Sequence, residues 1–506
     1  MKRFSIKITA KTSQFAPKLL IALHFFMFIS FQQQAYADAK TARPNVLFIA
    51  VDDLNDWIGC LGGHPQAKTP NIDRLANKGI AFTRAYSSAP LCNPSRVSLL
   101  TGILPSNSGV YGNQENFREY LPNALTLMQY FKKYGYKTMG GGKIFHRYNH
   151  IGDSASWDQY FIIKTDNRNP RNNNSKFKGR DKNLPHKNLF NWGPIDVNDE
   201  EMSDVKVTNW AISEIQKEHE KPFFLAFGFT KPHLPWYVPR KYFKKFPLDQ
   251  IILPTVLDQD LNDLPPFGKK LAKEVYQVST GKNFNGIGVN EHTLVLKHKQ
   301  WAKGVQAYLA TINFADKYLG KFLDALDKSK YADNTIVVLW GDHGWHLGEK
   351  EHWRKMALWE DSTRTPLIIY QPNKIKNNSI VDTPISFIDI YPTLIDMCGL
   401  PPKKDNIDGK SFFQLLKNPT QNWDKPVLMT FGEGNHAVRT NRWRYIQYYD
   451  GTNELYDHKY DPNEWINISG NKKYINIIEE LRQHIPKKEK AQLISHNNMA
   501  SELIRR

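Results

Sequence analysis

Cysteine is scarce in this chain of 506 residues, which contains only Cys60, Cys92 and Cys398. Three cysteines are too few for a disulfide framework, so a small scaffold held together by disulfide bonds is excluded. The sequence also has no internal repeat. Its composition, 41% hydrophobic and 23% charged, is ordinary for a globular protein, and its length is sufficient for one large domain and a smaller one.

Long hydrophobic runs are also few, and the main one lies at the start of the chain. Residues 19–31 form an apolar run preceded by basic residues and followed by the small-x-small sequence that ends at Ala37. This pattern predicts a signal peptide over residues 1–37 and a periplasmic or secreted mature protein. The alternative is a membrane anchor. Because the run is short for a membrane span and no later stretch is as apolar, we expect no stable membrane insertion.

Negative charge is in the minority, with 50 acidic residues against 68 lysines and arginines. The predicted mature chain loses five basic residues and no acidic ones, which leaves a net charge of +13. Such a charge favours an anionic partner, although it could also be only a basic surface. No nucleic-acid-binding motif is visible, so a sulfated or uronic-acid polysaccharide is the partner that suits a secreted protein better.

Apolar runs of strand length alternate with amphipathic helical segments in the first four-fifths of the chain. Predicted strands cover Asn45–Val51, Pro222–Phe229 and Asn334–Trp340, and a long helix covers Lys299–Leu326. The alternation predicts an α/β fold with a large, mainly parallel sheet flanked by helices. Shorter helices are predicted at Ile72–Lys78, from Ser95 to Thr101, and at Ala124–Tyr134.

The character of the sequence changes near residue 426, where short strand-like pieces follow one another. We therefore predict a catalytic α/β domain over residues 38–425 and a small antiparallel-sheet subdomain over residues 426–506. Thr165–Asn188 and Leu257–Lys297 are rich in polar residues, Gly or Pro and are predicted to be long loops, which in compact domains are often functional.

Acidic residues follow two of the predicted strands directly. Asp52 and Asp53 come after the first strand, and Asp342 and His343 come after the strand that ends at Trp340. Ligands of open α/β sheets bind outside the carboxyl ends of the strands, and adjacent carboxylates repel unless a cation lies between them. The pattern therefore predicts a site for Ca²⁺ or Mg²⁺, although each cluster alone could be a helix cap or a turn.

The most informative segment is residues 91–102, LCNPSRVSLLTG. It resembles the signature of the sulfatase family, Cys-x-Pro-Ser-Arg followed three residues later by Leu-Thr-Gly. The resemblance implies an alkaline phosphatase-like fold. It also implies that a maturation enzyme oxidises Cys92 to formylglycine (3-oxoalanine), whose hydrate attacks sulfur. The start of a helix offers free N–H groups to an anion, which is compatible with this role. The alternative is a buried cysteine beside a helix start.

Other segments extend this resemblance over nearly the whole mature chain, and their spacing is most similar to iduronate-2-sulfatases and related polysaccharide sulfatases. Lys143 and His146 resemble the family's Lys and His pair, separated by three positions where typical arylsulfatases have two. His233 resembles a second active-site histidine, and Lys355 the second sulfate-binding lysine. His343 stands where many arylsulfatases have asparagine.

The resemblance implies a separate role for each of these residues. Lys143, His233 and Lys355 would surround the sulfate, with His233 or Lys355 as the general acid. His146 would accept a proton from the second hydroxyl of the hydrate, and Arg96 would hold the charge of the attacking oxygen. One Ca²⁺ ion would be bound by Asp52, Asp53, Cys92 after modification, Asp342 and His343.

The implied substrate is a sulfated carbohydrate, for example an algal polysaccharide such as ulvan or carrageenan, or another glycan that contains uronic acid. Two alternatives remain open: a phosphonate or phosphate ester hydrolase of the same superfamily, and a non-catalytic protein that binds anionic glycans. Four aromatic residues beside the motifs could stack on sugar rings or belong to the core. They are Trp236, Tyr237, Trp345 and Trp353.

Overall fold

The computed structural model of the protein describes residues 43–146, 152–163, 190–279, 291–403 and 407–492. The predicted signal peptide, residues 1–37, and the predicted loop Thr165–Asn188 lie outside these ranges. None of the helices in the described ranges has the length and apolar character that crossing a membrane requires.

A mixed, mostly parallel sheet of eight strands forms the centre of the protein, in the order β13-β2-β12-β9-β1-β7-β4-β5. Strand β12 is antiparallel to both of its neighbours, and the other pairings are parallel. The strands are β1 Asn45–Val51, β2 Ile80–Phe82, β4 Lys137–Gly142, β5 Gln159–Phe161, β7 Phe223–Phe229, β9 Thr335–Gly341, β12 Leu367–Tyr370 and β13 Ser379–Val381.

Three two-stranded sheets and a four-stranded sheet complete the β structure. The two-stranded sheets pair β3 Ala85–Tyr86 with β14 Ile385–Ser386, β6 Trp192–Ile195 with β8 Trp236–Pro239, and β10 His346–Leu347 with β11 Trp353–Arg354. The four-stranded sheet contains β15 Val427–Thr430, β16 His436–Arg439, β17 Trp443–Gln447 and β18 Asn453–Asp457.

Helices cover both faces of the large sheet. They are α1 Pro70–Lys78, α2 Cys92–Thr101, α3 Pro105–Ser108, α4 Phe117–Tyr120, α5 Leu127–Lys133, α6 Ser203–Ile215, α7 Arg240–Phe243, α8 Pro266–Ser279, α9 Glu291–Lys297, α10 Trp301–Asp327, α11 Glu360–Thr363, α12 Ile390–Met397, α13 Phe413–Lys417 and α14 Ile475–Arg482.

Strand β1 shows why this sequence forms a two-faced sheet. Its seven residues are all buried, and because side chains alternate along a strand, Leu47 and Ile49 contact one core while Phe48 contacts the other. Helix α10 packs on the face of the sheet that Leu47 and Ile49 form. The side of the helix that carries Val305 is buried there, as the spacing of its apolar residues predicted. The predicted α/β fold with a mainly parallel sheet is confirmed.

The four-stranded sheet is antiparallel throughout, as predicted for the C-terminal part of the chain. Its apolar face, including Met429 and Ile446, shares a core with Leu91 and Met356. Leu91 immediately precedes Cys92 and Met356 immediately follows Lys355. The C-terminal sheet therefore supports the backbone of two predicted active-site residues, while the domain boundary at residue 425 stays a prediction.

The prediction of a long loop over Leu257–Lys297 is wrong in part, because α8 and α9 lie within this stretch. Phe267 and Leu271 are four residues apart, so they lie on the same side of α8, and both are buried in the core below the C-terminal sheet. The polar residues between these positions hid the helical period.

Gly228 in β7 allows the backbone to approach closely beneath the predicted active site. A Cβ atom at this position would lie 2.2 Å from the carbonyl oxygen of Lys143. We expect Gly228→Ala to lower the free energy of unfolding by about 1–3 kcal/mol, the usual cost of overpacking. Gly470→Ala is the control, since its Cβ would meet no atom within 4 Å. Equal stability of both variants in urea unfolding would contradict this prediction.

Candidate active site

The predicted site residues converge at the carboxyl edge of the large sheet. Asp52 and Asp53 follow β1, Lys143 follows β4, and Asp342 directly follows β9. These three strands and β7 lie side by side in parallel, so their carboxyl ends share one edge. His233 comes from the loop after β7, which lies between β1 and β4.

Cys92 is the first residue of helix α2 and is completely buried. Its Sγ atom lies 2.9 Å from Nζ of Lys355, 3.3 Å from Nε2 of His343 and 3.8 Å from Nζ of Lys143. Burial raises the pKa of the thiol, but the two ammonium groups outweigh this effect and hold the pKa well below its ordinary value. The surroundings of residue 92 therefore stabilise negative charge.

Arg96 lies one helical turn after Cys92 and is also completely buried. Its guanidinium donates to Asp52 and to Asp342, each at 3.0 Å, and to the carbonyl oxygens of Lys143 and Ile144. This arrangement fixes the carboxylates that follow β1 and β9 relative to each other. The predicted role of Arg96, to hold charge on the attacking oxygen, stays a prediction.

Asp53 has a positive φ of 59° and a fully buried side chain. Its Oδ1 accepts a hydrogen bond of 2.6 Å from Lys355 and lies 3.4 Å from Nε2 of His343. Its Oδ2 has no hydrogen-bond partner within the described ranges and lies 3.8 Å from Nε2 of His233. An unsatisfied buried carboxylate oxygen is costly unless a cation binds it.

The carboxylates and the histidines form two overlapping groups that could hold a metal ion. One group contains Asp53, Cys92, Asp342 and His343, and the other contains Asp53, Asp52 and His233. Nδ1 of His343 donates to the carbonyl oxygen of Gly344, so Nε2 faces the first group. The predicted ligands therefore fit a divalent cation, and Asp53 belongs to both groups.

His146 is close to Cys92 and largely enclosed. Burial lowers the pKa of its imidazole, while a hydrogen bond with the Cys92 side chain acts in the opposite direction. Its Nδ1 atom has no hydrogen-bond partner within the described part of the chain. A neutral imidazole with a free nitrogen can accept a proton.

A strained loop presents Lys355 to the site. Four residues of this loop have positive φ angles between 49° and 76°, which residues other than glycine rarely adopt. They are Lys350, Glu351, Arg354 and Met356. Two buried ion pairs hold this loop, one from Lys350 to Asp260 and one from Arg354 to Glu291. Strained backbone of this kind persists where the surrounding structure holds it and is often functional.

Two residues without a predicted role also contact the site. The hydroxyl of Tyr308, on α10, donates to the carbonyl oxygen of Asp53 at 2.7 Å and accepts from the Asn55 amide. Ser95 donates to the carbonyl oxygen of Asp342. Ser95 belongs to the signature segment, so its position could have suggested a role, whereas Tyr308 is one of many apolar-face residues of a long helix.

The aromatic residues beside the motifs are core residues. Trp236 and Trp345 are 0% and 1% exposed and pack with Trp353 in the core beneath the first face of the sheet. Tyr237 is also buried, and its hydroxyl donates to Asn191. The alternative of sugar stacking is not supported for this group. The three cysteines are free thiols, so Cys60 and Cys398 form no disulfide bond.

Comparison with known proteins agrees with this geometry. Residues 44–400 match the sulfatase family, and residues 348–491 match the C-terminal family of N-sulphoglucosamine sulphohydrolase. A sulfatase of Formosa agariphila is 40% identical over 454 residues, which cover 88% of this chain and 87% of that protein. Human iduronate 2-sulfatase is 35% identical over 356 residues, covering 68% of this chain and 63% of the relative.

Two solved structures share the fold. One was determined in complex with its substrate, D-glucosamine-2-N,6-O-disulfate; it has a TM-score of 0.68 and 22% identity, over 87% of this chain and 96% of that chain. The other is a phosphonate monoester hydrolase of Agrobacterium radiobacter, with a TM-score of 0.71 and 20% identity, over 87% and 94% of the two chains.

The sheet topology and these structural likenesses confirm the predicted fold, a large, mainly parallel sheet flanked by helices, which both solved structures share. By its sequence, the chain belongs to the sulfatase family. The predicted similarity to iduronate 2-sulfatase is confirmed as well.

Proposed function

We propose that this protein hydrolyses sulfate esters of a sulfated carbohydrate, with a nucleophile made from Cys92 by oxidation to formylglycine. The observation that carries the proposal is the convergence on Cys92 of Lys143, Lys355 and His343, at the start of a helix and beside buried carboxylates. A formylglycine hydrate supplies an oxygen nucleophile and a second hydroxyl group that allows sulfate to be released.

The same residues support binding of a tetrahedral oxyanion next to residue 92. The ammonium groups of Lys143 and Lys355 lie 3.8 Å and 2.9 Å from the Cys92 sulfur, so they can donate to oxygens of a sulfate bound there. When bound, a divalent cation such as Ca²⁺ supplies further positive charge to a sulfate oxygen. Asp52, Asp53, Asp342 and His343 would hold it, and Arg96 keeps Asp52 and Asp342 in place.

His233 is the better candidate for the acid that protonates the leaving oxygen. Its side chain is 23% exposed, whereas Lys355 is 8% exposed and is bound to Asp53. Nδ1 of His233 donates to the carbonyl oxygen of Leu234, which directs Nε2 towards Asp53 and the open side of the site. His146, with its lowered pKa and free Nδ1, is the candidate base in the release of sulfate.

Two observations favour a glycan as the substrate. The named activities of similar proteins include iduronate 2-sulfatase, and one protein of the same fold was solved with a disulfated glucosamine as its substrate. The net charge of +13 on the predicted mature chain suits a polyanion. With the predicted signal peptide, this supports degradation of an algal polysaccharide such as ulvan or carrageenan outside the cytoplasm.

Hydrolysis of phosphonate or phosphate esters is the second candidate, because the Agrobacterium hydrolase has the same fold. Lysine ammonium groups bind phosphate and sulfate alike. The discriminating experiment is product release from a panel of carrageenan, ulvan and glycosaminoglycan oligosaccharides, aryl sulfate and aryl phosphate diesters. The enzyme is produced with a formylglycine-generating maturation enzyme, and residue 92 is checked by mass spectrometry. Cleavage of the phosphate diester to a monoester and an aryl alcohol, without release of sulfate from any sulfate ester by the modified enzyme, would overturn the proposal.

We expect His233→Ala to lower kcat on a sugar sulfate by about 100-fold or more, the usual contribution of a general acid. The loss on p-nitrophenyl sulfate is expected to be much smaller, since its leaving group needs no proton. His484→Ala is the matched control, because His484 is exposed and lies on the loop after α14. An equal loss on both substrates would show that His233 has another role.

A further inference from the structure

A basic recess lies apart from the candidate catalytic cluster and has no role in the chemistry described above. It is a cavity of about 530 Å³ between the edge of the large sheet and the C-terminal sheet. Five cationic and two anionic side chains line it, together with polar groups. We call this cavity the basic recess; its charged lining residues are Arg84, Arg364, Arg439, Arg442, Lys459, Glu360 and Asp382.

The basic recess and the active site open at the same edge of the sheet. Phe82, Leu367 and Trp340 are paired across β2, β12 and β9, so Thr83 and Arg84 lie at the same level as Asp342. Two strand spacings separate β2 from β9, which corresponds to roughly 10 Å. Gly344 of the metal-binding turn also donates to the carbonyl oxygen of Ser362, in the short helix α11 that leads to Arg364.

Two arginines of the basic recess are held by carboxylates outside its lining, whereas Arg84 and Arg439 pair with the lining carboxylates Asp382 and Glu360. Arg364 pairs with Asp56 at 3.1 Å and Arg442 with Asp457 at 2.6 Å, and neither carboxylate lines the cavity. A guanidinium group has five N–H donors, so such pairs leave donors for a ligand. Lys459 is exposed and has no carboxylate within ion-pair distance among the described residues.

One corner of the recess contains acidic groups, so a metal ion is an alternative ligand to an anion there. Glu360, His458 and Glu464 offer ligand atoms close to one another. The buried Arg444, however, binds both carboxylates, and Arg439 binds Glu360 at 3.3 Å. Because these guanidinium groups already neutralise the carboxylates, the corner is poorly suited to a metal ion and does not oppose an anion in the recess.

We propose that the basic recess is an anion subsite that binds a second sulfate or carboxylate group of the glycan whose sulfate ester is cleaved. This assignment rests on the proposed function. The volume of the recess is within the range of small-ligand sites. Neighbouring charged groups on a sulfated polysaccharide are separated by about one sugar, roughly 5–10 Å, which is similar to the two strand spacings between β2 and β9. The recess therefore selects polyanionic chains over single sulfate esters.

The test is the double variant Arg442→Gln, Lys459→Gln in the modified enzyme. For any oligosaccharide of the panel that is cleaved and carries two or more anionic groups, we expect KM to rise about tenfold relative to KM for aryl sulfate, the effect of losing one or two charge-assisted hydrogen bonds. Lys328→Gln is the control, because this exposed lysine ends α10 just before β9 begins, at the opposite edge of the sheet. An unchanged KM ratio would overturn the assignment.

A binding experiment separates this proposal from the proposed function. Equilibrium binding of carrageenan and heparin hexasaccharides is measured with Cys92→Ala, with and without the double substitution. We expect about tenfold weaker binding in the substituted protein, even where no glycan is hydrolysed. Equal affinities, or no binding of either hexasaccharide to the Cys92→Ala protein, would overturn the subsite. Loss of inorganic phosphate binding with unchanged glycan binding would overturn the glycan assignment and indicate a small free anion.

Discussion

Replacing Cys92 with alanine is expected to lower the rate of sulfate release by at least about 1000-fold, the scale of losing the nucleophile of a covalent mechanism. The fold should persist, because residue 92 is a small side chain within a well-packed helix and its charged neighbours keep partners in Asp52 and Asp53. The measurement is the initial rate on aryl sulfate and on a cleaved glycan, with thermal unfolding as the check on folding.

Cys92→Ser is expected to lose turnover to a similar degree when mass spectrometry shows that the serine is unmodified, since one hydroxyl group cannot both attack and release sulfate. Cys60→Ser is the matched control. Cys60 is partly exposed and hydrogen-bonds through its backbone to Asp73, away from the candidate cluster. Normal turnover by an unmodified serine enzyme would show that the proposed nucleophile is wrong.

Replacing Asp53 with asparagine is expected to reduce activity by about 100-fold, in line with the loss of part of a catalytic metal site. Its unpartnered Oδ2 and its position in both candidate ligand groups make it central to cation binding. Wild-type enzyme should be stabilised by about 2.7 kcal/mol when Ca²⁺ exceeds its Kd 100-fold, whereas Asp53→Asn should show much less stabilisation. Calcium content by elemental analysis and the Ca²⁺-dependent rise in Tm measure both effects.

Asp324→Asn is the control for this experiment. Asp324 is exposed, with a side chain 58% accessible, and pairs with Arg74 on the surface. We expect it to keep both the activity and the full rise of Tm with Ca²⁺, because surface ion pairs contribute little to stability. If Asp53→Asn binds Ca²⁺ and raises Tm as the wild type does, the metal site lies elsewhere.

The sequence predicted best those elements whose local pattern of apolar residues is enough to identify them. Strand β1 was predicted with the observed bounds because it is apolar from Val46 onwards and is followed by a pair of aspartates. The antiparallel C-terminal sheet was predicted from short alternating strands. The prediction for the Leu257–Lys297 stretch was wrong because the few apolar residues of α8 are recognised as a buried helix face only once their contact with the C-terminal sheet is known.

For the candidate site, the sequence predicted which residues belong to it but not which of them contact one another. The motif around Cys92 and the two acidic turns identify which side chains belong together, since each follows a strand or begins a helix. Their contacts were not predictable: Arg96 lies among carboxylates and carbonyl oxygens, and Tyr308 reaches Asp53 from a helix more than 250 positions away. Such pairs depend on how α10 packs on the sheet, which no local pattern encodes.

The sequence by itself therefore determined the class of fold, the family and the residues of the candidate site, because strand periodicity and short motifs are local properties. Only the tertiary structure decided which charges face one another. Lys355 approaches Cys92 because a strained loop and the C-terminal sheet hold it there. The arginines of the basic recess meet because residues that follow β2 and residues of the C-terminal sheet line the same cavity. Electrostatic interactions act over a few ångströms in space regardless of separation along the chain, so the fold had to be known before they could be assigned.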